Sequence, residues 1–314
     1  MADRLAQVSG HLTNTYGRGL LAGEVAIITG GFTFMLRDTF NRRIEVGETS
    51  VAGELTMYSR MQGIGRSAAL LFAKEGAKVV VSDLDEKKAQ VVVDEIKAAG
   101  GDAIAVGGDV GADDFPQKVL DATIKKYGKL NHIVNNAGFT YDRMLHTTPD
   151  DAFDIIIKVH VRAPFRLVRA AAPYMRIKGN TENRSIVNVS SVSGLHGSVG
   201  QINYAAAKSG VIGMTKTICK EWGLFGVRAN TIAFGFVQTR LTQAKEEGAS
   251  IEIEGKKVAL GIPKAQGTSS GTSAIPLGRA ATPDEAAAAM LFLASPLASY
   301  VSGHTLEVTG GQGI

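Results

Sequence analysis

The chain carries a tyrosine and a lysine four residues apart, in the stretch Tyr204-Ala205-Ala206-Ala207-Lys208. Positions i and i+4 share one face of a helix, so the phenol and the ammonium are expected to be neighbours. A free tyrosine has a pKa of about 10, and a nearby cation favours the phenolate and lowers that pKa. This spacing is common in ordinary helices, but Ser191 ends a predicted strand thirteen residues before Tyr204. A hydroxyl there could hold a carbonyl oxygen, so the three side chains are candidates for proton transfer during hydride reduction of a ketone.

A glycine-rich stretch in two parts precedes these residues. Thr29-Gly30-Gly31 follows a strand-like run, and Gln62-Gly63-Ile64-Gly65 leads into a helix pattern. A turn that approaches a pyrophosphate needs glycines, and the helix that follows offers free N–H groups and the positive end of its dipole. Asp83 ends the second predicted strand, where a carboxylate can bond the ribose hydroxyls of NAD. Because it would repel a 2′-phosphate, we expect NAD, with NADP disfavoured.

The elements that must position these residues alternate along the chain. Strands are predicted at 24–30, 78–83, 103–109, 130–135, 185–191, 227–233 and 305–308. Helices are predicted at 66–75, 85–99, 113–127, 151–177, 204–222 and 285–293. This alternation predicts an α/β fold: a single-domain, Rossmann-type, doubly wound parallel sheet of about seven strands with helices on both faces. Residues 1–23 would form an N-terminal extension and 24–314 the domain.

Composition argues against several classes of function. A formal net charge of +4 on 314 residues, without a long run of like charges, gives little reason to expect nucleic acid binding. Cys219 is the only cysteine, which suits a reducing compartment and leaves no Cys-based metal site. The N-terminus lacks the apolar core of a signal peptide, and the longest apolar run, 286–294, is too short to span a bilayer. We therefore expect a cytoplasmic protein with no metal, no membrane and no nucleic acid partner.

Several motifs in the same order resemble the short-chain dehydrogenases/reductases, over about 24–31 and 62–314. The matching positions are the two glycine stretches, Asp109-Val110, Asn135-Asn136-Ala137-Gly138, Ser191, Tyr204 with Lys208, and Gly235 with Val237 and Thr239. Within that family the chain is most similar to 3-oxoacyl-[acyl-carrier-protein] reductases and to (3R)-hydroxyacyl-CoA dehydrogenase units.

The resemblance implies a role for each matching position. The pyrophosphate of the cofactor would be bound by Gly30, Gly63, Ile64 and Gly65, and the adenosine ribose by Asp83. Adenine would lie beside Asp109 and Val110. The path to the nicotinamide would be lined by Asn135, Ala137 and Gly138, and the carboxamide would be bound by Val237 and Thr239. Tyr204 would move the proton and Ser191 would position the substrate oxygen. Lys208 would bond the nicotinamide ribose and lower the pKa of Tyr204.

His160 falls where the family has an active-site asparagine that holds a water in a proton relay. A histidine can bond water and can itself carry a proton, because its pKa lies near neutrality. A histidine within a helix can equally be structural. The sequence leaves the relay role and the structural role open.

The family implies an NAD-dependent oxidoreductase that interconverts a secondary alcohol and a ketone, with a 3-hydroxyacyl/3-oxoacyl thioester as one candidate pair. It would work as a homotetramer or homodimer through the helices that contain Asp151 and Tyr204. Segment 240–280 is predicted to be a substrate lid, because long loops beside such sites often gate them.

Segment 32–61 interrupts the glycine motif, and three interpretations stay open. It is translated non-coding sequence; or it is extruded, as a hairpin that pairs Ile44–Val46 with Glu54–Tyr58, and leaves activity intact; or it disrupts the cofactor loop. The last case would make the chain a non-catalytic scaffold or pseudoenzyme.

Overall fold

The computed structural model describes residues 19–30, 63–239, 250–253, 256–259 and 272–313. The interrupting segment 32–61, most of the N-terminal extension and much of the predicted lid lie outside these residues. The predictions made for them, including the hairpin between 44 and 58, therefore stay predictions.

A parallel sheet of seven strands forms the centre of the described structure. The strands are β1 (Val25–Thr29), β2 (Lys78–Asp83), β3 (Asp102–Gly107), β4 (His132–Asn135), β5 (Arg184–Ser191), β6 (Val227–Phe234) and β9 (Thr305–Val308), in the spatial order β3-β2-β1-β4-β5-β6-β9. β7 (Ser250–Ile253) and β8 (Lys256–Ala259) form a separate antiparallel pair that the sequence analysis missed. The doubly wound sheet that the sequence predicts is confirmed.

Helices connect the strands. They are α1 (Ile64–Lys74), α2 (Glu86–Ala98), α3 (Phe115–Tyr127), α4 (Asp150–Ile157), α5 (Ala163–Ala170), α6 (Ala172–Met175), α7 (Val192–His196), α8 (Ile202–Trp222) and α9 (Pro283–Ala294). Two hydrophobic cores lie on opposite faces of the sheet, and β1 shows why: Ala26 and Ile28 belong to one core, whereas Ile27 belongs to the other. Strands buried on both faces read as continuous apolar runs, which is why the sequence located them well.

The long helix predicted over 151–177 is present but irregular, because the helical stretch contains a π turn and is interrupted at residue 171. α4 passes into a π-helical turn, Lys158–Arg162, before α5 begins. Pro164 near the start of α5 has no N–H to donate to the carbonyl four residues earlier, which is that of His160. Pro173 likewise stands in the first turn of α6. The widened turn is thus centred on the candidate relay residue, and π turns are frequent at functional sites.

A network of buried polar side chains ties together the amino-terminal ends of the strands. His132 Nε2 lies 2.6 Å from Glu24 Oε2, and Asn183 Nδ2 donates to the same oxygen at 3.1 Å. Asn183 Nδ2 also donates to Ala294 O at 2.8 Å, and Asn183 Oδ1 accepts from Arg228 at 3.1 Å. Since unpaired polar groups are costly in a core, this network fixes the end of α9 against three strands.

Among the described residues, no helix combines the length and the hydropathy that a membrane span requires.

We expect Asn183→Ala to lower the free energy of unfolding by about 2 kcal/mol, because it leaves buried groups of Glu24 and Arg228 with fewer partners. Urea unfolding measures the change. Asn180→Ala is the matched control: the Asn180 side chain bonds to Glu182 at the surface, so the loss of stability should be well below that of Asn183→Ala. Equal losses in the two variants would show that the network does not stabilise the fold.

Candidate active site

The two separated halves of the glycine motif meet in the structure. Gly30 ends β1 with φ of +68°, and Gly63 precedes α1 with φ of +70°. A Cβ added to Gly65 would lie 2.1 Å from Gly30 O, and one added to Gly30 would lie 2.8 Å from Ala137 Cα. Only glycine fits these positions, so the backbone forms an open cradle at the N-terminus of α1, where anions bind favourably.

Asn136, which the sequence analysis quoted in a motif but gave no role, holds this cradle together. Its Nδ2 donates to Thr29 O and to Gly30 O, each at 3.1 Å. Thr29 Oγ1 in turn accepts the backbone N–H groups of Asn136 and Ala137, each at 3.2 Å. The end of β4 therefore supports the end of β1. The doubled asparagine of the motif was the available signal.

The other predicted cofactor residues lie along the carboxyl ends of neighbouring strands. Asp83 is buried at the end of β2, and its Oδ1 accepts the backbone N–H of Asp85 at 3.1 Å. Asp109 Oδ1 accepts the N–H of Gly111 at 2.8 Å, which shapes the turn that carries Val110. Asn135 Nδ2 donates to Asn188 Oδ1 at 2.8 Å. Ligands of doubly wound sheets bind at this edge, and the cradle with its flanking acid fits a dinucleotide.

A cleft of about 180 Å³ opens beside the cradle, at the carboxyl ends of β4, β5 and β6. It brings together the four predicted catalytic side chains, and its wall also includes Ile64, Gly138, Val237 and Thr239. Residues predicted from separate motifs therefore line one space.

Tyr204 and Ser191 line this cleft together, and Ser191 is near enough to influence the pKa of the Tyr204 hydroxyl. Ser191 Oγ also accepts the N–H of Ser193 at 3.2 Å and so caps α7, which fixes the hydroxyl at the end of β5. Burial raises the pKa of Tyr204 to about 12; Ser191 opposes that rise, and the negative charge of Asp142 adds to it. The phenol is therefore protonated at neutral pH.

Lys208 does not lower the pKa of Tyr204 as the sequence analysis expected. Its Nζ donates to Val189 O at 2.7 Å and lies 5.4 Å from the centre of the Tyr204 ring. Burial lowers the pKa of Lys208 itself to about 7, so a large part of its charge is lost near neutrality. The helical spacing placed the two side chains correctly, but the dry environment outweighs the attraction between them.

His160 lies in the π turn and is almost fully buried. Its Nε2 is 2.8 Å from Phe139 O and 3.2 Å from Phe139 N, and the shorter contact favours the tautomer in which Nε2–H donates to the carbonyl. Nδ1 has no hydrogen-bond partner among the described residues. Burial, with the charge of Lys208 adding to it, holds the pKa of His160 well below its ordinary value near 6.5. The imidazole is therefore neutral near pH 7, and the relay role expected for it stays a prediction.

Gly138 explains how the imidazole fits. A Cβ on Gly138 would lie 2.2 Å from His160 Cε1, so no other residue leaves room for the ring in its present place. The ring meets Tyr204 edge to face, with the ring centres 5.3 Å apart. Gly138, His160 and Tyr204 are thus packed as one unit.

A series of hydrogen-bonded polar side chains, which the sequence analysis missed, also lines the cleft. Gln201 Nε2 donates to Asp142 Oδ1 at 3.1 Å, and Ser193 Oγ donates to Gln201 Oε1 at 2.9 Å. Gln201 stands three residues before Tyr204, so its position relative to the tyrosine was the only available signal.

Known proteins share this sequence pattern over most of the chain. A family model described as Enoyl-(Acyl carrier protein) reductase matches residues 59–312. A 3-oxoacyl-[acyl-carrier-protein] reductase FabG of Thermotoga maritima is 39% identical over 249 residues, which cover 79% of this chain and 93% of that protein. An uncharacterized oxidoreductase of Mycobacterium bovis is 38% identical over 253 residues, covering 80% and 93%. A FabG of Staphylococcus aureus is 35% identical over 252 residues, covering 80% and 94%.

The family match, these relatives and the doubly wound sheet agree with one another. The chain belongs to the short-chain dehydrogenase/reductase family, and it is an oxidoreductase that acts on CH–OH groups with a nicotinamide cofactor.

Proposed function

We propose that the protein interconverts a 3-oxoacyl thioester and the corresponding 3-hydroxyacyl thioester, with NAD as its cofactor. The observation that carries the proposal is that Tyr204, Ser191 and Lys208 line one cleft, which adjoins the glycine cradle. The curated relatives named as 3-oxoacyl-[acyl-carrier-protein] reductases support the substrate class.

The side chains divide the work of carbonyl reduction among themselves. A bound nicotinamide supplies the hydride. Ser191 donates a hydrogen bond to the substrate oxygen, and Tyr204 gives its proton to the oxygen as negative charge develops there. Because the pKa of Tyr204 is raised to about 12, the phenol holds its proton at neutral pH and is ready to act as the acid.

Lys208 and His160 support Tyr204 in this proposal. Lys208 holds the ribose and resupplies the proton that Tyr204 gives up, which a lysine whose pKa is lowered to about 7 can do near neutrality. His160, as a neutral imidazole, holds the backbone of Phe139 and presents Nδ1 as an acceptor for a bridging water.

The residues that would hold the cofactor are Gly30, Gly63, Ile64, Gly65, Asp83, Asp109, Val110, Asn135, Ala137, Gly138, Val237 and Thr239. Asp83 is the basis for NAD over NADP, because a 2′-phosphate beside its carboxylate would be repelled. The rejoined cradle argues against the alternative of a pseudoenzyme, since the interruption of the sequence leaves Gly30 and Gly65 in contact.

Two expectations from the sequence extend the proposal. We propose a homodimer or homotetramer that pairs through the segment α4–α5 and through α8. The cytoplasmic location stays a prediction.

We expect Tyr204→Phe to lower kcat for acetoacetyl-CoA reduction by about 10³-fold, because the general acid is lost. NADH binding, followed by its fluorescence, should change by less than about threefold, since the phenol oxygen serves chemistry rather than affinity. Tyr174→Phe, in the short helix α6, is the control. A Tyr204→Phe enzyme with kcat within about tenfold of the parent would refute the assignment.

We expect the full-length chain to bind NADH more tightly than NADPH, and Asp83→Ser to shift that ratio toward NADPH by about tenfold as the repulsive charge is removed. Parallel fluorescence titrations with both cofactors measure the ratio. Asp94→Ser, on the exposed side of α2, removes the same charge elsewhere. A parent protein that prefers NADPH would overturn the role given to Asp83, and failure to bind either cofactor would revive the pseudoenzyme.

We expect Gly138→Ala to cost about 2 kcal/mol of stability and to lower kcat, because the added methyl group overlaps the His160 ring. A double-mutant cycle with His160→Ala tests the cause, since the alanine at 138 should cost much less once the ring is gone. Gly223→Ala is the control: its φ is −56°, and a Cβ there would meet nothing within 4 Å. Additive effects of the two substitutions would show that the predicted clash does not occur.

A further inference from the structure

Tyr204 and Ser191 reach the cleft from two different elements, α8 and the end of β5, so their spacing depends on how these elements are held together. After Tyr204 the two are packed directly. A Cβ added to Gly194 of α7 would lie 2.7 Å from the carbonyl carbon of Lys208, and Ser190 Oγ donates to Lys208 O at 2.8 Å. The part of α8 that follows Tyr204 is therefore fixed against β5 and α7.

Before Tyr204, the side chain of Gln201 connects the start of α8 with α7. Ser193 Oγ, in the first turn of α7, donates to Gln201 Oε1 at 2.9 Å, and Gln201 Nε2 donates to Asp142 Oδ1 at 3.1 Å. Because a carboxylate accepts and does not donate, the nitrogen of the amide must face Asp142 and its oxygen must face Ser193. Both ends of the amide are thus bonded, and its orientation is determined by its neighbours.

Ser193 carries the connection onward to Ser191. Its backbone N–H donates to Ser191 Oγ at 3.2 Å, while its own hydroxyl is bonded to Gln201. A serine hydroxyl has one donor and two acceptor positions, so this bond orients Ser191 Oγ and leaves its O–H for a substrate oxygen. A displacement of Ser193 would therefore move the group that orients the Ser191 hydroxyl.

The segment that carries Asp142 is held against α8 by bonds that do not involve the Gln201 side chain. Asn203 Nδ2 donates to Tyr141 O at 3.1 Å, and Arg143 N donates to Gly200 O at 2.8 Å. Loss of the Gln201 amide should therefore leave the start of α8 in place and release Ser193.

We propose that Gln201 is a positioning residue for carbonyl reduction: through Ser193 it holds the Ser191 hydroxyl at the spacing from Tyr204 that a shared substrate oxygen requires. The inference rests on the roles proposed for Ser191 and Tyr204. Groups that act on one reacting atom must be placed within a fraction of an ångström, and an error of about 1 Å costs up to about 10²-fold in rate.

The test measures kcat and KM for the reduction of methyl acetoacetate with NADH in the parent enzyme, Gln201→Met, Ser193→Ala and the double variant. Methionine has nearly the length of glutamine but offers Ser193 no amide oxygen. Gln117→Met is the matched control, because Gln117 Nε2 also donates to an aspartate, Asp121 Oδ1 at 2.7 Å, on the exposed surface of α3.

We expect kcat to fall about tenfold in Gln201→Met and in Ser193→Ala, and KM and NADH affinity to stay within about twofold of the parent. Gln117→Met should match the parent. The double variant should be no slower than the slower single variant, because both substitutions break the same connection.

Three results would overturn the inference. The first is a kcat in Gln201→Met within about twofold of the parent. The second is a loss confined to KM, which would place Gln201 in contact with the substrate instead. The third is a double variant in which the two losses multiply. If Gln201→Met does not fold, Ser193→Ala decides the question, and an unchanged kcat there overturns the inference.

The proposed function can fail separately. If the parent enzyme reduces neither methyl acetoacetate nor acetoacetyl-CoA, the proposed substrate class is wrong. Crystal structures of the parent and of Gln201→Met then decide the inference by themselves. A Ser191 Oγ that is displaced or occupies a second rotamer in the variant supports it, and a Ser191 Oγ in the same place overturns it.

Discussion

The site depends on one close approach between backbones: the end of β1, the start of α1 and the end of β4 meet, and the side chain of Asn136 lies at their junction. Gly30, at the end of β1, contacts Gly65 of α1 and also Ala137, which follows β4. Asn136 closes the arrangement by bonding two carbonyl groups of the β1 end. The tight turn determines where α1 starts, and the position of β4 sets the path of the segment that carries Gly138. The cofactor cradle and the catalytic cleft are thus parts of one packed junction.

The two edges of the sheet serve different purposes. At the amino-terminal edge, Glu24, His132, Asn183 and Arg228 are all paired with one another or with the end of α9. At the carboxyl edge, polar atoms such as His160 Nδ1 are buried without a protein partner among the described residues. Buried atoms without a hydrogen-bond partner among the described residues also occur at the amino-terminal edge, at Arg184 Nε and Arg228 Nε. What distinguishes His160 Nδ1 is that its ring lines the cleft, where a bound molecule can reach it.

Much of the fold and the site could be predicted from sequence because the informative signals are local. Apolar runs such as Lys78–Asp83 mark buried strands, and the spacing of Tyr204 and Lys208 places them on one helix face. Other features depend on distant parts of the chain. The pKa of Tyr204 follows from burial, which spacing cannot reveal, and so its direction was predicted wrongly. The hydrogen bond from Arg143 N to Gly200 O likewise joins segments that lie far apart in the sequence.

The π turn at Lys158–Arg162 adds a residue to this helical stretch without changing which side chains of α4 and α5 face the core. A π turn accommodates one more residue than the α-helical turn it replaces, and the helices on either side keep the faces they present to the core. α4 and α5 could therefore tolerate the loss of one residue here without exchanging buried for exposed side chains. Such a loss would remove the wider backbone turn at His160. The wide turn therefore lies at the place in this helix where the length of a turn sets the position of the imidazole.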